Sequence, residues 1–582
     1  MACIFYNKPC VFFGIVKRGI FSIVLEFRKR FPRPSFDTYF TMPQCCSDDF
    51  RTAPRKCMFF IYIFAKRTLQ NKEYMKKSVL GKIALALSLL FLAACSDEDT
   101  FKNDNQIGIR GDGDASDVVQ EVPVLPKKQT RAVWIATVYG LDWPNGSYSA
   151  TTQKRLYTSY LDLLVKYNIN MVFFQVRPMA DAFYDSPYEP WSQYITGVAG
   201  RKPGYDVLKF MIDEAHKRCI SFHAWINPYR IAKRNSASDA FPTLSSKIPK
   251  ELTKDYNTIR VYNPALPETR ARLDSIVKDL IVKYDVDGIH MDDYFYPSLT
   301  SGESMNDDAE FKKYKGSYTN INNWRRNNVT LMVRSLQQTI RETRKEVVFS
   351  ISPQGNIEND YNGQYADVNR WMTNGWLDVM IPQIYYKTGT GYYDFNNRVN
   401  QWATNAKRCA LLVGYPIYRY DPNSATEGFK TNAMLSEQFA LADAKSKISG
   451  DVLYRMRDMV TNRCDINSVI KNRYARKALV PFYGKYTEVK PAAPGNVRIL
   501  NVSNLTWDAV KECYYAVYRS NGDKKEATLV EVTTKTSYAM PEDGKYFITA
   551  VNKHDNSESE ISEIVNYSKE EQTIGITPVK IK

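Results

Sequence analysis

The chain runs to 582 residues, more than one compact core holds, so a large domain with a smaller companion is expected. Its formal charge of +16 would suit nucleic acid. Yet 16 of the 79 Lys+Arg and only 5 of the 63 Asp+Glu fall in residues 1–94; the remainder is near balance and shows no basic stripe, which excludes nucleic acid as a partner.

In chain order, residues 1–74 mix apolar patches (11–16, 58–65) with scattered Arg and Lys and show no clean period, so no fold is assigned to them. Residues 75–95, MKKSVLGKIALALSLLFLAAC, read as a leader. Lys76 and Lys77 start it, Ile83 to Leu92 form an apolar run, and small residues follow. The run is too short to cross a hydrocarbon core of about 30 Å. Leu92-Ala93-Ala94-Cys95 resembles a bacterial lipobox, in which Cys95 is acylated. The expectation is therefore a signal peptide over 75–94, an upstream mis-start over 1–74, and a membrane lipid anchor on Cys95. Polar, Gly/Asp-rich 95–127 reads as a flexible tether. The ten cysteines include no CxxC pair, which excludes zinc ribbons and redox motifs. Cys219, Cys409, Cys464 and Cys513 read as buried free thiols. No metal-ligand spacing appears, so neither a metal nor another cofactor is expected.

From Arg131 short β-type runs alternate with helical spans. The runs are 131–138, 170–177, 220–227, 286–293, 347–354, 378–385, 409–415 and 451–456, with helices at 152–167, 205–218, 268–284 and 324–345. Eight strands between helices predict an α/β fold, a TIM-type (β/α)₈ barrel over 128–486. Side chains alternate along each strand. Parity puts Gln175 and Arg177 on one face of strand two, and His223, Trp225 and Asn227 on one face of strand three. His290 and Asp292 share a face of strand four. Such polar faces are expected to converge on the barrel's C-terminal mouth, where active sites sit in this fold.

The most informative run is Asp287-Gly288-Ile289-His290-Met291-Asp292-Asp293-Tyr294-Phe295-Tyr296-Pro297. Two carboxylates close strand four, and glycoside cleavage commonly uses two. Parity points Asp292 into the mouth, with His290 and Arg177 expected to hold it ionised. The second carboxyl stays open between Asp293, Asp181 and Glu189; Asp287 reads as structural. Aromatic residues crowd the same loops, among them Trp134, Trp143, Tyr184, Trp191, Trp225, Tyr229, Tyr294, Tyr296, Tyr385 and Tyr386. Together with the convergent Gln354 and Gln383 they suit a glycan cleft.

These segments carry a family resemblance. RAVWIAT, FFQVRP with DAFYDSPYEPW, AWINPYR, DGIHMDDYFYP, SISPQGN and VMIPQIYY together resemble the glycosyl hydrolase-like 10 family over about 128–460. The resemblance implies a TIM-barrel glycosidase lipoprotein that hydrolyses O-glycosyl bonds; with the leader and lipobox, the expected location is a Gram-negative envelope, periplasmic or surface-facing at the outer membrane. A member in enteric bacteria is implicated in cutting peptidoglycan glycan strands stripped of peptides. By motif, the implied functional positions are Arg177, Asn227, Arg230, Asp292, Asp293, Gln383 and Tyr385. Strand four also resembles the nucleophile strand of amylase-type enzymes, which would place that role on Asp292. It resembles chitinase-type strands too, but those end in Glu where this chain has Tyr294, which argues against their mechanism.

After a Pro-rich linker, residues 487–568 show about seven short strands with Trp507 at their core, and 569–582 read as a tail. The strand runs and Trp507, Tyr518 and Tyr546 resemble a fibronectin type III sandwich, expected as a spacer or docking module. The lead reading is an envelope-anchored glycosidase acting on peptidoglycan glycan or on exogenous polysaccharide. The rival is a non-catalytic glycan-binding lipoprotein on the same barrel.

Overall fold

A computed structural model describes residues 123–299, 302–520 and 526–570. The leader, Cys95, most of the expected tether and most of the 569–582 tail lie outside the described residues.

Eight parallel strands close into a barrel. In chain order come β1 (Thr130–Ile135), β2 (Met171–Arg177) and β3 (Ser221–Ile226), then an inserted antiparallel sheet of β4 (Arg230–Lys233), β5 (Thr253–Asp255) and β6 (Ile259–Tyr262). The barrel resumes with β7 (Gly288–Met291), β8 (Val348–Ile351), β9 (Val379–Met380), β10 (Ala410–Tyr415) and β11 (Ile448–Tyr454). Around the ring the order is β1-β11-β10-β9-β8-β7-β3-β2. The expected (β/α)₈ fold is thus observed.

The helices start where side chains or proline allow. Ser149 accepts from Thr152 N before the helix Ala150–Lys166, Asp206 caps Val207–His216, Pro267 opens Pro267–Lys283, and Asn320 caps Ile321–Thr343. Their apolar stripes meet the outward strand residues. Tyr157, Leu161 and Leu164 join Val172, Phe174, Val176, Phe222, Ala224 and Ile289 in one continuous core, each fully buried Val, Leu, Ile or Phe contributing about 1.5–3 kcal/mol.

The inward faces are less polar than expected. Ala132, Trp134, Phe173, Trp225, Val348, Ile381, Leu412 and Val452 form a separate apolar cluster inside the barrel, and the polar groups gather above it. Most strands are shorter than their expected runs, and two of these shortenings shape the site. β9 keeps two regular residues because Pro382 has no N–H to donate; Gln383 then rejoins the ring through isolated bridges to Gln354 and Gly414. β7 ends at Met291, which leaves Asp292 and Asp293 just past the strand.

The C-terminal region forms two antiparallel sheets. One holds β12 (Arg498–Leu500), β13 (Asn504–Thr506) and β16 (Ser537–Ala539), in the order β12-β13-β16. The other holds β14 (Cys513–Ser520), β15 (Thr528–Thr533), β17 (Gly544–Asn552) and β18 (Val565–Tyr567), in the order β15-β14-β17-β18. Leu505, Trp507, Tyr515, Val517, Tyr546 and Ile548 fill the space between them. The outer face of the four-stranded sheet covers Leu479 after the barrel. His554 and Lys553 reach Asp285, at the N-terminal end of β7. The module therefore sits under the barrel and leaves the mouth clear. Cys219, Cys409, Cys464 and Cys513 are free, as expected, although partly exposed rather than buried.

Candidate active site

Four consecutive strand ends build the site. Asp292 lies just past β7 and is buried. Its Oδ2 accepts from Trp225 Nε1 of β3 at 3.0 Å, and its Oδ1 from Asn227 Nδ2 at 3.2 Å. Asn227 is itself fixed, because its Oδ1 accepts the backbone N–H groups of Arg230 at 2.9 Å and Tyr229 at 3.3 Å. Asp293 turns the other way, toward β8 and β9. Its Oδ1 accepts from Gln383 Nε2 at 3.1 Å, while the same nitrogen is held by Ser352 O at 3.0 Å and Ser352 Oγ at 3.1 Å. The Gln354 side chain also bonds Asp293.

The two carboxyls are electrostatically coupled. Burial, then the neighbouring Asp293 charge, pushes Asp292 up to about 7; Arg230, the Trp225 indole and the Tyr294 N–H oppose that rise. Burial raises Asp293 as well, against the Gln383 bond and Arg230. Arg230 opens β4 of the insert, and its guanidinium lies 3.2 Å from the centre of the Tyr294 ring.

The expectation that His290 and Arg177 keep Asp292 ionised does not hold. His290 is wholly buried, and desolvation drives its imidazole well down, so it is neutral. Its Nε2 lies 3.0 Å from Trp134 Nε1, which only donates; Nδ1 therefore carries the hydrogen and gives it to Ser350 Oγ at 2.8 Å. Arg177 was expected on the same face as Gln175. A register shift after Gln175 instead pairs Arg177 with Ile226, which faces outward. There it binds both oxygens of Glu189, at 2.6 and 2.5 Å, with neither side chain exposed, and it donates to Asn227 O. Arg177 and Glu189 thus brace the loop under Asn227 from behind.

The remaining expected residues divide into floor, scaffold and rim. Trp134, His223 and His290 form the floor. Burial pushes His223 down to about 4, and Gly288 is required because a Cβ there would collide with the His223 ring. Gln175 is scaffold: its Oε1 accepts Thr137 N at 3.0 Å and Val138 N at 2.9 Å. Asp181 accepts Met179 N at 3.0 Å, and burial raises it to about 6. Asp287 is structural, as expected, accepting from Phe222 N at 2.6 Å and facing His216 Nε2 at 2.9 Å. Trp143, Tyr184, Tyr229 and Tyr296 lie in the outer core rather than the mouth; Tyr296 receives Asn328 Nδ2 at 3.2 Å. The rim is Tyr294 and Tyr385, the latter stacked on Tyr454 at 5.9 Å and edge-on to Tyr418 at 5.9 Å.

Sequence reasoning missed Tyr418, Tyr454 and Asp360. Asp360 is fully buried; its Oδ1 accepts Gln354 N at 3.0 Å, and burial drives it well above the usual carboxylate range. In the sequence it reads as a first-turn helix acid. Tyr454 ends β11, two residues before the end of the run expected for the eighth strand.

A closed (β/α)₈ barrel whose mouth holds two neighbouring carboxyls among amides and aromatic rings defines a glycosyl hydrolase-like protein. The chain belongs to the glycosyl hydrolase-like 10 family, whose model matches residues 129–429. It is similar to "Glycosyl hydrolase YngK" of Bacillus subtilis, 34% identical over 461 residues, covering 72% of this chain and 88% of that protein. It is also similar to "Glycosyl hydrolase DigH" of Escherichia coli K12, 34% identical over 362 residues, covering 56% of this chain and 82% of that protein. Among solved structures, the PgaB (BpsB) glycoside hydrolase domain of Bordetella bronchiseptica aligns at a TM-score of 0.41 and 11% identity, covering 60% of this chain and 98% of that one.

Proposed function

We propose that this protein is a glycoside hydrolase that cuts O-glycosyl bonds of peptidoglycan glycan strands from a lipid anchor at the outer membrane. The observation that carries the catalytic part is the pair Asp292 and Asp293, each gripped by its own donors and sharing one buried mouth. With Asp292 raised to about 7, the pair holds one proton near neutral pH. Asp292, the more buried member, is the proton donor; this reverses the nucleophile role that the amylase-like resemblance implied for it. Its proton passes to the glycosidic oxygen as the bond to the anomeric carbon breaks. Asp293, ionised, faces the positive charge that develops on the sugar; water adds its hydroxyl to the anomeric carbon and gives its other proton to the carboxyl pair, which returns to its singly protonated state.

The anchor and its location rest on the leader-like run ending at Cys95, and the peptidoglycan substrate on the family resemblance. The 3+4 strand order supports reading the C-terminal module as a fibronectin type III-like spacer.

The test incubates the full chain with peptide-free and peptide-bearing glycan strands and reads products by mass spectrometry beside Asp292→Asn. New sugar ends that disappear in the variant support the reading. Strands that bind but stay intact with the wild type would replace it with the glycan-binding lipoprotein.

A further inference from the structure

Outside the carboxyl pair, the loop after β9 holds aromatic rings that the fold does not need. Tyr392 is 51% and Tyr393 59% exposed. Large exposed aromatic side chains forfeit the burial that usually justifies them, and a contiguous group of them marks a contact surface. These rings are also held in place. The Tyr392 hydroxyl donates to Glu358. Arg398, only 2% exposed, sits 4.2 Å from the centre of the Tyr392 ring and donates to Tyr392 O at 2.8 Å. It also reaches Asn356 Oδ1 at 3.3 Å in the loop after β8. A buried arginine thus fixes a loop that displays two rings to solvent, which lowers the entropy lost on binding.

The row is continuous with the site. Tyr393 lies 6.3 Å from Tyr386, its ring tilted by 35°, and 4.8 Å from Tyr392, whose ring stands edge-on to it at 88°. Tyr386 in turn packs beside Gly355: a Cβ at residue 355 would sit 2.8 Å from its ring and collide with Gln383 O. Gln383 is the residue that holds Asp293. On the other flank, the loop after β1 carries Tyr139, 50% exposed and within reach of the Arg230 charge. In the ring of strands, β9 lies beyond β8 on one side of β7, and β1 lies beyond β3 and β2 on the other. Exposed aromatic rings therefore flank the carboxyl pair on both sides.

We propose that Tyr386, Tyr393 and Tyr392 form a run of sugar-binding subsites on one side of the scissile bond, opposed by Tyr139 on the other. The enzyme then grips a long glycan across its mouth and cuts it internally. Sugar C–H faces stack on the rings, and Glu358 and Arg398 keep the row aligned. This inference rests on the glycosidase reading above, so the experiment separates the two.

Wild type and the Tyr392→Ala/Tyr393→Ala double variant are compared on peptide-free glycan strands of graded length. Initial rates and the length of early products are read by chromatography and mass spectrometry. Binding of the longest strands is measured in an Asp292→Asn background. Internal fragments of mixed length are expected from the first time points of the wild type. In the double variant, the kcat/KM preference for long over short strands falls about tenfold, and long-strand affinity falls about tenfold. Release of single units from strand ends by the wild type would overturn the proposal, and so would an unchanged length preference. Should the wild type cut nothing, the glycosidase reading fails, and the binding arm still decides the subsites: equal affinity with and without the two rings removes them. Because both rings are exposed, an unchanged melting temperature certifies the variant.

Discussion

Replacing Trp225 with Phe tests who carries the proton. The indole N–H at 3.0 Å is one of the donors that favour the charged form of Asp292, and phenylalanine keeps an aromatic ring while deleting that donor. A hydrogen bond to a buried charge is worth about 1.5–3 kcal/mol, and one pKa unit is about 1.4 kcal/mol. Without the indole, Asp292 keeps its proton to higher pH by about one to two units. If Asp292 is the acid, kcat/KM falls with rising pH through its titration, near 7 in the wild type. In Trp225→Phe that alkaline limb moves up to about 8–9, and the acid limb, set by Asp293, stays where it was. The profile widens. The assay is initial rate against pH on peptide-free glycan strands, with folding checked at each pH. An alkaline limb that stays put or moves to lower pH refutes the assignment of the proton to Asp292.

Two further predictions concern the scaffold. Arg177→Met strands the buried Glu189 carboxylate and lowers stability by about 3–5 kcal/mol, read by urea unfolding; Arg177→Met/Glu189→Leu recovers most of that loss, and no recovery would mean that the pair does more than brace the loop. Asp360 is raised in the folded state, so it binds its proton more tightly there than when unfolded, and its contribution to stability declines as pH rises from about 4. Asp360→Asn, which keeps an acceptor for Gln354 N, therefore raises the melting temperature at pH 8, with the gain shrinking toward pH 4; a gain independent of pH would refute the linkage.

The barrel was legible because each strand run alternates and the helices between them carry apolar stripes. Phe222, Ala224 and Ile226 meet the helices as parity required, and Trp225 and Asn227 turn inward to Asp292. Parity failed where the backbone left regular strand geometry. The shift after Gln175 turned Arg177 outward, and the end of β7 at Met291 freed Asp293 to face Gln383 instead of the opposite side of a strand. No local pattern reports such breaks. The protonation of Asp292 was equally hidden, because it depends on burial and on partners from β3 and the β4 insert that are distant in sequence. The exposed row at Tyr392 was passed over because Tyr392 and Tyr393 sit in a loop without periodicity.

The site's electrostatics divide between barrel and insert, and that division separates two variants that otherwise look alike. Trp225 belongs to β3 and, of the two carboxyls, donates to Asp292 alone. Arg230 belongs to β4, outside the ring, and its charge lowers both Asp292 and Asp293. Arg230→Met removes an attraction felt by both carboxyls, so both titrations rise. The rising and falling limbs of kcat/KM then move together to higher pH, and the profile shifts without widening. A charge at hydrogen-bonding range or somewhat beyond, at the effective dielectric near a protein surface, acts with about 1–4 kcal/mol, so a shift of about one unit or more is expected. Added salt separates the two further, because it weakens the Arg230 effect in the wild type and leaves the Trp225 hydrogen bond largely untouched. If Arg230→Met moves only one limb, the insert does not set the charge of the pair, and Arg230 acts on the substrate instead.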